Sequence, residues 1–63
     1  MASEKRFAVV KAMLEGAGYA LTRVHGSHHI FTKDGKQPVS IPVHRGKVKP
    51  HYVRFVERIC EGD

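Results

Sequence analysis

Three short β-favouring runs lie between residues 19 and 43, punctuated by Gly26 and Gly35 and bracketed by two stretches with apolar residues at helical spacing. In a chain of 63 residues that order leaves few solutions. Two apolar helix stripes need a shared cover, and one face of a single sheet supplies it. The expected fold is α+β, in the order αβββα. It has a three-stranded antiparallel meander and both helices on one sheet face, within a single domain over residues 1–63.

Each element has a local reason. Ser3 is a candidate N-cap, with Glu4 where a carboxylate suits the helix dipole. Phe7, Val10, Met13, Leu14 and Ala17 then recur at helical spacing, so the first helix is expected from Ser3 to Glu15. Gly16 and Gly18 bracket its end. Tyr19–Val24 reads as a strand, His25-Gly26-Ser27 as a turn, and His28–Lys33 as the second strand. Asp34-Gly35 is a hairpin signal. A third strand begins at Gln37-Pro38, where Val39, Ile41 and Val43 alternate with Ser40 and Pro42 and so share the core face. Pro42 cannot donate to a ladder, which places this strand at an edge. Pro50 suits the first position of a second helix, expected to run to Cys60 with Tyr52, Phe55, Val56 and Ile59 inward.

The formal net charge is +5, and it is unevenly spread. From Thr22 to Arg54 the bases Arg23, Lys33, Lys36, Arg45, Lys47, Lys49 and Arg54 meet Asp34 alone, whereas the flanks roughly balance. A basic middle fits a polyanion better than an acidic partner. Cys60 stands alone, so no internal disulfide forms, and its place beside the last apolar stripe suggests core packing. Disulfide-free small domains suit a reducing compartment. No apolar run approaches the ~20 residues of a membrane span, and Met1–Arg6 lacks the apolar region of a signal peptide. A cytoplasmic protein without membrane contact is expected.

The chemistry centres on Gly26-Ser27-His28-His29-Ile30-Phe31. Imidazole both takes and gives protons near neutrality. Adjacent strand residues point to opposite faces, so only one of His28 and His29 can serve a given site. His28 shares a face with Ile30 and His29 with Phe31, so periodicity leaves the choice open. On residue types alone, a pair of phosphate-contacting histidines is the commoner reading. Gly26 and Ser27 make a turn whose N–H groups and hydroxyl can also hold a phosphate. His44, Arg45, Lys47 and Lys49 form a basic junction ahead of Pro50. His25, His28 and His29 have no acidic or cysteine neighbour, so neither a metal nor another cofactor is expected.

In order along the chain, Leu14-Glu15-Gly16-Ala17-Gly18-Tyr19, Arg23, Gly26–Phe31, Val39-Ser40-Ile41-Pro42-Val43-His44 and Lys47-Val48-Lys49-Pro50 resemble the HicA (YcfA-like) family. These are small bacterial mRNA interferases of type II toxin–antitoxin systems. The ending Arg58-Ile59-Cys60-Glu61-Gly62-Asp63 departs from the Leu-rich close common in that family. The resemblance implies a fold like double-stranded-RNA-binding domains, cleavage of mRNA by a histidine of the Gly-Ser-His motif, and inhibition by a HicB-type antitoxin. It assigns catalysis to His28, with His29 as the fallback. Arg23, Gly26, Ser27, His44, Arg45, Lys47 and Lys49 are the expected RNA contacts. The expected assembly is a monomer or weak dimer when free and a hetero-oligomer with antitoxin. RNA carries its own nucleophile, the 2′-hydroxyl, so a neutral imidazole acting as general base would suffice without metal. The products would be a 2′,3′-cyclic phosphate and a 5′-hydroxyl. His44 and His25 are candidate proton donors if the fold brings them close. A non-catalytic double-stranded-RNA-binding module is the alternative, and an inactive partner-binding subunit a third.

Overall fold

Val39 and Ile41 are buried and Val43 is half-buried against the same cluster, so the alternation read from the third strand sets one face of a three-stranded antiparallel sheet. The protein is described over residues 3–62 in a computed structural model. The elements are β1 (Lys5–Arg6), α1 (Phe7–Gly16), β2 (Ala20–His25), β3 (His28–Thr32), β4 (Val39–Pro42), β5 (Lys47–Val48) and α2 (Pro50–Glu61). Strands β2, β3 and β4 pair in that order, and β1 pairs separately with β5. The αβββα order therefore holds, with a small second sheet added.

Both helices lie on the face that carries Phe31, Val39 and Ile41. Val10 and Leu14 of α1, Val53 and Val56 of α2, Tyr19 and Val48 complete the core. The molecule is 15 Å thick in its shortest dimension, the depth of two layers. Among the described residues, no element covers its other sheet face. Pro42 ends β4, an edge strand, as its missing N–H requires.

The end of α1 is a Schellman motif. Tyr19 N–H donates to the Leu14 carbonyl at 2.9 Å and Gly18 N–H to that of Glu15 at 3.0 Å, with Gly18 at φ +95°. Lys33 Nζ, across the sheet, donates to the Ala17 carbonyl at 2.8 Å and lies 5.6 Å from the Tyr19 ring centre. This base holds a helix terminus.

Four expectations are corrected. The first helix begins at Phe7, with Arg6 as N-cap, because Lys5–Arg6 is drawn into an extended pair with Lys47–Val48. Phe7 N–H donates to the Gly46 carbonyl at 2.8 Å, so a donor at the start of the helix is satisfied from outside it. Glu4 instead approaches Lys47 at 3.8 Å, an exposed pair of small energetic weight. On α2 the inward positions are Val53 and Val56, with Tyr52, Ile59 and Cys60 half-buried. Phe55, expected inside, is 45% exposed, since the buried stripe of α2 runs through Val53 and Val56. The third strand starts at Val39, leaving Gln37-Pro38 in the loop, and Asp34-Gly35 turns through the Lys36 N–H to Lys33 carbonyl bond at 3.0 Å.

The junction expected as a loop is a tight hairpin. His44 and Lys47 exchange backbone hydrogen bonds of 2.9 Å in both directions around Arg45-Gly46. Arg45 has φ +53°, and it is the non-glycine residue held in the left-handed region among those described. Such a conformation costs roughly 1–2 kcal/mol for a residue with a Cβ. Asparagine tolerates it better. Arg45→Asn should therefore raise the unfolding free energy by about 0.5–1 kcal/mol in urea titration, and a loss of stability would contradict this account of the turn.

Candidate nucleic-acid interface

The β2–β3 hairpin decides which side chains meet. Gly26-Ser27 forms a two-residue turn closed by the pair His25 and His28. Gly26 has φ +62° and Ser27 does not share it, the pattern of a type II′ turn with glycine first. From the turn the register runs His25 opposite His28, Val24 opposite His29, and Arg23 opposite Ile30. It then slips, so that Leu21 faces Phe31 and Ala20 faces Thr32. Thr22 is the extra residue of a β-bulge, and its Oγ1 donates to the Ile30 carbonyl at 3.2 Å.

That single residue changes parity. Leu21 pairs with buried Phe31 on the helix side, and strict alternation would then turn Arg23 and His25 the same way. The bulge re-aims both. Arg23 and His25 join His28, Ile30, Ser40 and Pro42 on the uncovered face. His25, His28 and Arg23 are all exposed there.

The two motif histidines separate cleanly. His29 points to the helix side, half-buried, with its ring 4.4 Å from that of Phe7 at 50° and its Nδ1 3.3 Å from the Ser27 carbonyl oxygen. His28 stands exposed at the start of β3, between His25 on β2 and Pro42 on β4. The face question that periodicity left open is thus answered by packing: His29 is engaged and His28 is accessible.

The other expected contacts fall into two groups. Arg23, Gly26 and Ser27 lie on or beside the open face. Val43 N–H donates to the Ser27 carbonyl at 2.8 Å, carrying the β3–β4 pairing one step past Pro42 and bringing His44 alongside the turn. Arg45, Lys47 and Lys49 belong to the following hairpin and the start of α2, where Lys49 is the N-cap and Pro50 follows. The first turn of α2 has no acidic residue, so its backbone donors and Lys49 present one sign of potential. Lys47 shares its charge with Glu4. Among the described residues no group of three or more His, Cys, Asp or Glu side chains is placed to hold a metal ion. No described helix is long and apolar enough to cross a membrane.

One surface escaped the sequence reading. His51, Arg54, Phe55 and Arg58 line a shallow depression of about 240 Å³ on the outer face of α2. The signal was available: placing Val53 inward leaves Phe55 among basic neighbours. The pairing of His25 with His28 was also legible in part, because a two-residue reading of Gly26-Ser27 puts them opposite each other.

Searches of curated proteins and of solved structures returned no match. A family model described as HicA toxin of bacterial toxin-antitoxin matches residues 8–59, which takes in both helices' cores, the whole sheet and the histidine hairpin. The chain therefore belongs to the HicA toxin family.

Proposed function

We propose that this toxin is an endoribonuclease that cleaves mRNA in the cytoplasm, with His28 as general base. The observation that carries the reading is the exposure of His28 on an uncovered sheet face shared with Arg23, while its neighbour His29 is occupied by Phe7. Imidazole takes the 2′-hydroxyl proton, O2′ attacks the adjacent phosphorus, and the bond to O5′ breaks. Arg23 offsets the charge gathering on the phosphate oxygens. Arg45, Lys47, Lys49 and the N-terminal donors of α2 hold the flanking backbone, with His44, Gly26 and Ser27 nearer the scissile phosphate. Because the 2′-hydroxyl is internal to the substrate, no metal or other cofactor is needed for this step. Family membership implies an antitoxin partner. A HicB-like antitoxin that covers the basic hairpin and His28 would block substrate through charge complementarity.

The two histidines should behave oppositely on substitution. His28→Ala is expected to lower cleavage by roughly 10²–10⁴-fold with RNA binding and unfolding midpoint little changed. On induction in bacteria the parent should arrest growth with loss of intact mRNA, and His28→Ala should do neither. His29→Ala is expected to cost about 1 kcal/mol of stability through the lost ring contact, while folded molecules still cleave. Arrest by both the parent and His28→Ala, with mRNA intact, would replace this reading by plain RNA binding.

Lys49 gives a separate check. If it meets a phosphate, Lys49→Ala should weaken binding to all RNA sequences alike and reduce the slope of log affinity against log salt by about one. An unchanged slope would remove Lys49 from the interface.

A further inference from the structure

The reaction needs a proton at the leaving oxygen as well as a base at the attacking one. We infer that His25 is the general acid of this site, its imidazolium set across the β2–β3 pair from His28 by the bulge at Thr22 and the Gly26-Ser27 turn. The inference rests on the nuclease reading above.

Three observations converge on it. His25 and His28 are direct cross-strand partners, so their Cβ atoms stand ~5 Å apart on one face. Two imidazoles rooted at that spacing reach opposite sides of one phosphate. Both are exposed, and the side chains nearest them on that face are Arg23, Ile30 and Pro42, none of which can donate a proton near neutrality. The parity change is the third. Were Thr22 to pair with Ile30 instead of bulging, Val24 would stand opposite His28 and His25 would turn toward the helix side. Bulges concentrate where a side chain must be re-aimed beside an active site. His44 is the competing donor, but it lies past the end of β4, where its backbone closes the Arg45-Gly46 turn, and no register pair sets it opposite His28.

The step balances. The O2′ proton moves to His28, the O2′–phosphorus bond forms, the phosphorus–O5′ bond breaks, and the proton of His25 goes to O5′. The products are a 2′,3′-cyclic phosphate and a 5′-hydroxyl. Solvent exchange then restores protonated His25 and neutral His28.

The test uses an oligoribonucleotide spanning a cleavage site mapped with the parent protein, made with either oxygen or sulfur at the 5′ bridging position. A thiolate leaves without a proton. His25→Ala and His25→Gln, each verified as folded by circular dichroism and thermal melting, are expected to slow cleavage of the oxygen substrate by roughly 10²–10⁴-fold. Both should cut the sulfur substrate at the parental rate. His28→Ala should fail on both substrates. Parental rates for the His25 variants on the oxygen substrate, or equal losses on both substrates, would overturn the assignment of His25 alone. A parent that yields no cleavage site to map on any RNA would overturn the nuclease reading, and this inference with it.

Discussion

The register between β2 and β3 is the constraint on which the rest of the candidate site depends. In a paired strand one residue of slip moves every following side chain to the other face. Here Thr22 supplies that slip inside the strand, and Leu21 stays against Phe31 in the core. The bond from Thr22 Oγ1 to the Ile30 carbonyl ties down the residue that the ladder leaves out. Gly26 closes the other end, because its left-handed φ permits a two-residue turn whose twist matches that of the strands. Between these two fixed points Arg23, His25 and His28 have one arrangement.

The fold divides its polar groups between structure and surface. A chain this short buries a thin core, so each group that helps to hold it is hard to spare. His29 contributes a ring to Phe7, and Lys33 contributes its ammonium to the C-terminus of α1. Neither is then available to a partner on the open face. Arg45 shows the opposite allocation. It holds an unfavourable φ at the tip of an exposed hairpin, where asparagine or glycine would be easier.

Much of the architecture was legible in the sequence because it follows from local period. The stripe of Val10, Leu14 and Ala17, the alternation of Val39, Ile41 and Val43, and Pro50 at a helix start each declare themselves within a few residues. What escaped reading is non-local. Lys5–Arg6 becomes a strand only because Lys47–Val48, some forty residues on, offers it a partner, and that pairing overrides the capping signal at Ser3. Phe55 looked inward by spacing, but the buried positions of α2 are Val53 and Val56. Of the candidate site, the motif residues were visible, but which of His28 and His29 packs on the helix side waited on Phe7. The bulge at Thr22 leaves no trace in composition, so the turning of Arg23 and His25 to the side of the sheet away from Leu21 could not be read from period two.

The account stands or falls on RNA acting as its own nucleophile at an imidazole, and the ends of the cleaved strand report that directly. Purified protein should be incubated with a defined RNA and with the same RNA carrying a single 2′-deoxynucleotide at the mapped site, and the termini identified by mass spectrometry. A 2′,3′-cyclic phosphate and a 5′-hydroxyl, with no cleavage at the deoxy position, is the result the account predicts. A 5′-phosphate terminus, or undiminished cleavage at the deoxy position, would contradict it.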